Sequence, residues 1–435
     1  MDARTTALSA LIACRRQAAW SDGILKEYIA RDRLDGRDAA FASRLCYGVL
    51  QNRMLLDYYL AQRVKGGLKK LQPVVLDILR LGAYQLLLCD RVPVSAAVNE
   101  AVEQAKRYAN RAAAGLVNGV LRALAREKDA LRQPDDLATR YSHPQPLVEL
   151  LANSLPEGQL APFLAADNTP APTCLQVNPL RADTEEVRAA LEEGGVSYTP
   201  HPWLDGAFLV SGTGSLERLP LFAEGKVYVQ DAAARLAAIA SGVRPGMRVL
   251  DCCAAPGGKS FAAAMQMQNA GEIISCDIHA HKTALIEKGA ERLGITSIRA
   301  MQLDAREEKE EFLGRFDTVI ADVPCSGLGV IRKKPDIRYK DLAPMQALPE
   351  IQRAILENVC RYVAPEGVLL YSTCTVLRRE NEDVVRDFLS QHPEYALETV
   401  ELPERLRLTN NGMLTLLPHL HASDGFFISK LRRHA

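Results

Sequence analysis

The chain lacks the features of a disulfide-rich or membrane-spanning protein. Its 10 cysteines in 435 residues include no C-x-x-C pair, which favours reduced thiols over a disulfide framework or a structural zinc site. No apolar run approaches the roughly 20 residues that a helix needs to cross a bilayer. The short apolar run at residues 7–14 continues into Arg15 and Arg16, which is typical of an amphipathic helix and not of an export signal. We therefore expect a cytoplasmic protein without a bound metal.

Complete nucleotide-binding motifs are absent as well. The triplet from Gly258 to Ser260 matches the end of a P-loop, but Cys253 stands where that motif requires a glycine. The dinucleotide motif G-x-G-x-x-G is also missing from this turn. These absences argue against a nucleoside triphosphatase and against a dinucleotide-dependent enzyme.

What is present is a glycine turn between a predicted strand and a predicted helix. Residues 251–260 (DCCAAPGGKS) follow the apolar run 247–250. Such a turn offers free backbone N–H groups and the positive end of a helix dipole to an anionic ligand, and Gly257 and Gly258 allow close approach. Asp277, 19 residues after Gly258, is placed to bond a ribose hydroxyl. A ribose site without a pyrophosphate loop predicts S-adenosylmethionine as the cofactor.

Two further polar segments follow predicted strands. Asp322 and Cys325 come after the buried-strand pattern at 316–321, and Cys374 follows the apolar run 367–370. In open α/β sheets, ligands bind beyond the carboxyl ends of the strands. With the glycine turn, three strands therefore direct an aspartate and two cysteines toward one crevice.

A formal net charge of zero conceals an uneven distribution. Residues 1–145 hold 23 Lys and Arg against 15 Asp and Glu, whereas the remainder holds 30 against 38. A basic module joined to an acidic catalytic half is typical of a protein whose first part contacts phosphates. The basic stretch 331–340 (IRKKPDIRYK) follows Cys325 closely, and we expect its cations beside the crevice with Tyr339 stacked on a nucleotide.

The hydrophobic pattern changes twice along the chain and predicts three domains. An all-α domain over residues 1–140 precedes a small α+β domain over 141–226, and alternating strand and helix patterns over 227–435 predict a doubly wound α/β sheet. The helices predicted for the first domain are Thr5–Trp20, Phe41–Ala61, Pro73–Cys89, Ser95–Tyr108 and Ala112–Glu127. The other predicted elements are strands at 173–177 and 207–210, a helix at 184–193 and a closing strand at 425–431.

The motif series of the last half of the chain resembles a known family. The segments at 228–231 (YVQD), 251–260, 322–327 (DVPCSG) and 371–375 (YSTCT) occur in the order found in the RNA cytosine-5 methyltransferases related to the nucleolar and Sun proteins. The resemblance implies a Rossmann-like methyltransferase domain that uses S-adenosylmethionine.

The N-terminal part resembles a second family. The runs at 78–86 (ILRLGAYQL), 92–101 (VPVSAAVNEA) and 115–122 (GLVNGVLR) are similar to the NusB-type RNA-binding helical domain. The pairing of this domain with the methyltransferase motifs is typical of the bacterial 16S ribosomal RNA methyltransferase B subfamily, also called Sun or Fmu. Members of the family carry a small RNA-recognition-like subdomain before the catalytic core, which is the place of residues 141–226 here.

The resemblance assigns roles to the polar residues of the crevice. Cytosine C5 is too weak a nucleophile to accept a methyl group directly, so a thiolate must first add to C6. By resemblance, Cys374 is that nucleophile, Asp322 assists at N3 of the base, and Cys325 helps to release the methylated product. The residues alone leave open which thiol attacks, since the crevice could activate either.

The cofactor contacts are likewise carried over by resemblance. The glycine turn is expected to wrap the methionine moiety, with Lys259 near its carboxylate, Asp277 on the ribose hydroxyls and Asp304 at the adenine amino group. The full set of predicted cofactor-binding residues is Ala254, Ala255, Pro256, Gly257, Gly258, Lys259, Ser260, Asp277, Lys282, Asp304 and Asp322. Val323 and Ser260 differ from the residues most common in the family, but neither change removes a functional group.

Three functions follow from these patterns. The first, which we expect, is a monomeric cytosine-5 methyltransferase acting on 16S ribosomal RNA. An enzyme of the same chemistry acting on transfer RNA shares the catalytic motifs, so only the NusB-type domain separates it from the first. A non-catalytic RNA-binding or antitermination factor would follow from the N-terminal domain alone, but Cys374, Cys325 and Asp322 argue against it.

Overall fold

The computed structural model describes residues 2–17, 21–211, 216 and 219–434. The chain divides into two compact units. Unit 1 contains residues 1–152, 160–169 and 331–340, and unit 2 contains residues 153–159, 170–330 and 341–435. The three-domain division proposed from the sequence stays a prediction. Across the described part of the chain, no helix is both long and apolar enough to cross a membrane.

Unit 1 is built from helices around one apolar core. Its interior is formed by leucine, valine, alanine and isoleucine side chains that recur at helical spacing. The helices are α1 (Ala3–Gln17), α2 (Ser21–Asp32), α3 (Gly36–Gln51), α4 (Arg53–Ala61), α5 (Pro73–Leu88), α6 (Val94–Tyr108), α7 (Arg111–Arg126), α8 (Leu137–Tyr141), α9 (Gln145–Ala152) and α10 (Leu160–Ala166).

These helices differ from the sequence prediction in three ways, the first being that α8, α9 and α10 were not predicted. The single helix predicted for 41–61 is broken at Asn52, whose backbone leaves the helical region and whose Nδ2 donates to the Gly48 carbonyl at 2.9 Å. The helix α2 was not predicted, because its sequence is largely polar and buries only Ser21, Ile24 and Leu25. The last three residues of the predicted helix 5–20 lie outside the described residues.

The basic stretch 331–340 belongs to unit 1. Arg338 is 1% exposed, and its Nη1 donates to the carbonyl of Gln51 and to Oδ1 of Asn168, both at 2.8 Å. The hydroxyl of Tyr339 donates to the Leu50 carbonyl at 2.9 Å, and its ring is covered by the Arg53 guanidinium at 3.5 Å. The expectation that Tyr339 stacks on a nucleotide is therefore wrong, because both ring and hydroxyl are used inside unit 1.

Unit 2 alternates strands and helices. Its strands are β1 (Thr173–Val177), β2 (Ser197–Pro200), β3 (Ala207–Ser211), β4 (Val227–Val229), β5 (Arg248–Asp251), β6 (Glu272–Asp277), β7 (Ile298–Gln302), β8 (Phe316–Asp322), β9 (Val363–Thr373), β10 (Tyr395–Leu397), β11 (Met413–Leu416) and β12 (Phe426–Arg433). Its helices are α11 (Thr184–Glu193), α12 (Pro220–Ala223), α13 (Ala232–Ala240), α14 (Gly258–Gln266), α15 (Ala280–Leu293), α16 (Leu348–Val359), α17 (Glu382–Gln391) and α18 (Pro418–His421).

The first four strands form a small antiparallel sheet in the order β2-β3-β1-β4. Its core joins residues of β1, β3 and β4 to Val187 and Leu191 on one face of α11. The predicted bounds of β1 and α11 are confirmed. The strand β2 was missed because it lies at the sheet edge with mostly exposed residues, so it has no alternating apolar pattern.

The remaining strands form a larger mixed sheet in the order β10-β12-β9-β8-β5-β6-β7, with β11 paired to β12. The pairs β5 with β6, β6 with β7, β5 with β8 and β8 with β9 are parallel. The chain runs outward from β5 through β6 to β7 and returns to β8 on the other side of β5. The topological switch point therefore lies between β5 and β8, where open α/β sheets bind their ligands.

We predict that Arg338→Met lowers the free energy of unfolding of the protein by about 2–4 kcal/mol, because it leaves buried carbonyl oxygens of unit 1 without a donor. Urea unfolding followed by far-ultraviolet circular dichroism measures the change. The control is Lys334→Met, an exposed lysine of the same stretch. Equal stability of the two variants would contradict a structural role for Arg338.

Candidate active site

The glycine turn after β5 is shaped for a ligand that approaches the backbone. Gly257 has φ +109°, and a Cβ atom there would lie 2.4 Å from the ring of Phe261. The helix α14 begins at the next residue, Gly258, so its free N–H groups face the turn. The Ala254 N–H is already used, since it donates to the Cys276 carbonyl at 2.7 Å and ties the turn to the end of β6.

Behind this turn lies a buried polar chain that starts at Asp251. The hydroxyl of Ser275 donates to the hydroxyl of Ser260, which donates to Oδ2 of Asp251, both at 2.7 Å. Oδ1 of Asp251 is buried and has no hydrogen-bond partner in the described part of the chain. Burial raises the pKa of Asp251 from 3.8 to about 7, against the hydrogen bond from Ser260, which lowers it.

A cavity of about 170 Å³ opens at the switch point. Of the predicted cofactor-binding residues, six line it: Ala254, Ala255, Pro256, Gly258, Lys259 and Asp322. Val229, Gln230, Ala234, Asp251 and Cys253 also line it, and the sequence interpretation gave none of these a role. Ser260 is completely buried, and its hydroxyl is turned toward Asp251 and Ser275.

The predicted ribose and adenine residues lie at the ends of the next two strands. Asp277 ends β6, where its Oδ1 accepts from the His279 N–H at 3.0 Å and lies 3.7 Å from the Lys282 ammonium. Asp304 follows β7, and both of its carboxylate oxygens accept from the guanidinium of Arg306. This ion pair lowers the pKa of Asp304. A nucleoside bound by Asp304 must therefore share or displace the Arg306 contact.

Asp322 connects the cofactor cavity to the thiols. Its Oδ2 accepts from the Lys259 ammonium at 2.6 Å, and its Oδ1 accepts from the Ser372 hydroxyl at 2.8 Å. Lys259 also lies 5.0 Å from the centre of the Phe426 ring, so its charge has a carboxylate on one side and an aromatic face on the other. The side chain predicted to meet the methionine carboxylate thus already pairs with the predicted catalytic aspartate.

The two cysteines meet directly. The sulfur atoms of Cys325 and Cys374 are 3.1 Å apart, and from distance alone either can donate the hydrogen bond. The pKa of Cys374 is lowered, chiefly by this hydrogen bond, and the pKa of Cys325 is raised well above its usual range by the same bond and then by burial. With Cys325 as the donor, this hydrogen bond favours the ionised form of Cys374.

These features fit S-adenosylmethionine. The turn and the start of α14 supply free backbone N–H groups, which suit the methionine carboxylate. Asp251 is among the residues that line the cavity, and its Oδ1 has no hydrogen-bond partner in the described part of the chain. A carboxyl group at this place suits the methionine ammonium. Asp277 and Asp304 lie beyond it, at the ends of neighbouring strands, and carboxylates suit hydroxyl and amino donors.

Three family models match the chain. Residues 239–432 match the model described as 16S rRNA methyltransferase RsmB/F, residues 1–126 match the NusB family, and residues 143–217 match the ferredoxin-like domain of RsmF/B-like methyltransferases.

Curated proteins and a solved structure resemble the whole chain. It is 38% identical to the probable ribosomal RNA small subunit methyltransferase B of Bacillus subtilis (strain 168), over 99% of this chain and 98% of that protein. It is 33% identical to the protein of the same name from Synechocystis sp. (strain ATCC 27184 / PCC 6803 / Kazusa), over the full length of both. The crystal structure of PH0851 superposes with a TM-score of 0.81 and 26% identity, covering 98% of each chain.

The doubly wound sheet, the glycine turn and the matches define the protein as an S-adenosylmethionine-dependent RNA methyltransferase. More narrowly, the chain belongs to the 16S rRNA methyltransferase RsmB/F family, with a NusB helical domain and a ferredoxin-like subdomain ahead of the catalytic sheet. The family resemblance and fold class predicted from the sequence are confirmed.

Sequence reasoning missed the buried groups that support the site. Asp251 belongs to the quoted turn, and its position at the end of an apolar strand was the available signal. Gln352, Glu380 and Asn381 contact the two cysteine segments, and no motif pointed to them. They come from a helix and a turn that only the tertiary fold brings to the crevice.

We predict that Asp251→Asn stabilises the cofactor-free protein increasingly as pH rises from 5 to 7. An unfolded aspartate ionises near pH 4, whereas the folded protein keeps the proton up to about pH 7. The wild type therefore loses stability between about pH 4 and pH 7, by up to about 1.4 kcal/mol per pH unit, and the loss levels off above pH 7. The asparagine variant shows no such loss. Melting temperatures at pH 5, 6, 7 and 8 measure the difference.

The control for this titration is Asp205→Asn, because Asp205 is an exposed aspartate of the same unit. Its melting temperature should stay parallel to that of the wild type at every pH. A gap between wild type and Asp251→Asn that does not change with pH would contradict a protonated Asp251.

Proposed function

We propose that this protein methylates C5 of a cytosine in 16S ribosomal RNA through a covalent bond between Cys374 and C6 of the base. The observation that carries the proposal is the pair of thiols whose sulfur atoms lie 3.1 Å apart, at the sheet edge where Asp322 also ends its strand. A single activated thiol would suffice for addition. A second thiol and a carboxylate at the same edge supply the groups that later steps require.

The first step is addition to the base. The Cys374 thiolate forms the sulfur–C6 bond, and the electron pair of the C5–C6 double bond makes C5 nucleophilic. Asp322 lies at the end of β8, next to the strand that leads to Cys374. In its protonated form it donates its proton to N3 as negative charge develops there. Its link to Lys259 and Ser372 fixes the carboxylate before the base arrives.

The second step is methyl transfer. Bound S-adenosylmethionine supplies an electrophilic sulfonium methyl group. Attack by C5 forms the C5–CH₃ bond as the sulfur–methyl bond breaks, which leaves a neutral thioether. Because thiol and methyl donor act on the ring from opposite sides, the base must stand free between them, in an unpaired loop or flipped from a helix.

The last step is release of the base. Cys325 in its thiolate form, after losing its own proton to solvent, takes the C5 proton. The electron pair of that C–H bond restores the C5–C6 double bond, and the electron pair of the sulfur–C6 bond leaves on Cys374 as the thiolate. Once the sulfur–C6 bond has formed, Cys325 no longer donates a hydrogen bond to Cys374, so its sulfur is free to assist this elimination. After the bond breaks, Cys325 can donate to the Cys374 thiolate again. This gives the two cysteines different roles despite their contact.

Ribosomal RNA is favoured over transfer RNA by the whole-chain relatives. The proteins from Bacillus subtilis and Synechocystis are named for the small ribosomal subunit, and they match along nearly the full length, the NusB-like domain included. Residues 1–145 contain 23 basic and 15 acidic residues, and this basic excess suits binding to a phosphate backbone.

We predict that Cys374→Ala lowers the rate of methyl transfer by roughly 10³-fold or more while S-adenosylmethionine binds nearly as before, because the thiolate acts on the base. Calorimetric titration and transfer of a tritiated methyl group measure the two quantities. Bisulfite sequencing of 16S RNA from cells that carry each variant locates the methylated cytosine. Cys14→Ala, a change at a half-buried cysteine of unit 1, is the control. Transfer by Cys374→Ala at the wild-type rate would disprove the nucleophile assignment.

We further predict that Cys325→Ala accumulates a covalent protein–RNA adduct, because the step that Cys325 assists comes after addition. The adduct is measured as a slow band on a denaturing gel that ribonuclease removes. The double variant Cys325→Ala with Cys374→Ala should show no such band. An adduct that forms with Cys374→Ala and not with Cys325→Ala would show that the two roles are reversed.

A further inference from the structure

The Cys325 segment is held from both sides by two side chains. The Nε2 of Gln352 donates to the Pro324 carbonyl at 3.0 Å, and the Ser326 N–H donates to Oε2 of Glu380 at 2.9 Å. Gln352 also donates to the same Oε2 of Glu380, at 3.0 Å. One buried carboxylate oxygen of Glu380 therefore binds Ser326, the residue after Cys325. The same oxygen binds Gln352, which in turn holds Pro324, the residue before Cys325.

The residue after Glu380, Asn381, holds the segment around Cys374 in the same way. The hydroxyl of Thr373 donates to Oδ1 of Asn381 at 2.6 Å, and the Nδ2 of Asn381 donates to the Thr375 carbonyl at 3.1 Å. Consecutive residues, Glu380 and Asn381, thus hold the flanks of the two cysteines. Both are completely or almost completely buried.

Cross-contacts join the two segments. The hydroxyls of Ser326 and Thr375 are 2.8 Å apart, and the Gly329 N–H donates to the Cys374 carbonyl at 3.0 Å. Neither bond uses the Ser326 N–H. The backbone N–H of Ser326, the residue directly after Cys325, therefore depends on Glu380 for its hydrogen-bond acceptor.

A buried carboxylate such as that of Glu380 is not expected at a position that serves packing alone. Its side chain is 0% exposed, Oε2 accepts both hydrogen bonds, and Oε1 has no partner within the described ranges. A buried carboxylate is costly unless it is well paired, so packing alone gives no reason to place it here. The charged groups that act on the two thiols are Asp322, Glu380, Lys259 and Asp424.

We propose that Glu380 is a positioning residue for product release, whose buried carboxylate holds Cys325 against Cys374 through the Ser326 N–H. The inference rests on the proposed function, because it assigns Cys325 to the release step. Without Glu380, Cys325 moves away from Cys374 and the base while Cys374 keeps the support of Asn381. Addition and methyl transfer then continue, and elimination slows.

The test uses three variants of the full chain with transcribed 16S RNA. Glu380→Ala removes both hydrogen bonds, and Glu380→Asp keeps the charge but shortens the side chain by about 1.5 Å. Glu380→Gln keeps an oxygen that can accept both bonds and removes the charge. We expect the alanine and aspartate variants to lower kcat roughly tenfold to hundredfold, with KM for both substrates falling in parallel and kcat/KM staying within about twofold of wild type, because the slowed step follows methyl transfer.

The same two variants should accumulate the covalent adduct several-fold above wild type while single-turnover methyl transfer stays near the wild-type rate. Glu380→Gln should restore kcat and the low adduct level. Glu382→Ala, a change at a half-buried glutamate two residues further on, is the matched control and should show no adduct above wild type.

Three results would overturn the inference. One is a parallel loss of single-turnover rate, cofactor affinity and kcat without extra adduct, which is what a general loss of structure produces. Another is a defective Glu380→Gln beside a normal Glu380→Asp, which would assign the effect to charge and not to position. The third is wild-type behaviour of all three variants. If Glu380→Ala does not fold, the aspartate and glutamine variants still decide the question.

Failure of the proposed function would be recognised separately. In that case the wild-type protein itself would give no C5-methylated cytosine in 16S RNA, or it would give one while Cys325→Ala and wild type both formed no adduct. If the wild type methylates C5 and Cys325→Ala forms the adduct, the proposed function holds. The Glu380 variants then test positioning alone.

Discussion

The parallel pairing of β8 with β9 sets the geometry on which the rest of the site depends. Asp322 and Ser372 are register partners at the carboxyl ends of these strands, and the Val323 N–H donates to the Ser372 carbonyl at 3.1 Å. Cys325 follows Asp322 by three residues, and Cys374 follows Ser372 by two. Two thiols 49 residues apart in sequence therefore emerge at the same edge with their sulfur atoms in contact. A slip of one residue in this register would separate them.

The neighbouring strand β5 adds the cofactor side of the crevice. It pairs with β8 in parallel, with Asp251 opposite Ile320, so the glycine turn opens beside Asp322. The Lys259 ammonium then joins the turn to that aspartate. Asp322 thus lies between the cofactor cavity and the thiols, and its charge is held by Lys259 before either ligand binds. A fixed arrangement of charge around the reacting atoms is what electrostatic stabilisation of a transition state requires.

The sequence predicted the parts of this arrangement that depend on local pattern. Strand ends, the glycine turn and the polar residues after each strand follow from apolar runs and turn residues, so Asp322, Cys325 and Cys374 could be placed at one sheet edge. The contacts of Glu380, 55 residues from Cys325, and of Arg338 within unit 1 could not be predicted, because they depend on tertiary packing. A basic run such as 331–340 has the composition of a solvated loop, and only the carbonyls around Arg338 show why this one side chain is buried.

The central claim is that Cys374 bonds C6 of the target base while Cys325 does not. The most direct measurement uses 16S RNA transcribed with 5-fluorocytidine, since fluorine at C5 cannot be lost as a proton and the covalent complex persists. Digestion of the trapped complex followed by mass spectrometry identifies the cysteine that carries the nucleotide. The account predicts a nucleotide on the peptide that contains Cys374 and an unmodified Cys325. A nucleotide attached to Cys325 would contradict it.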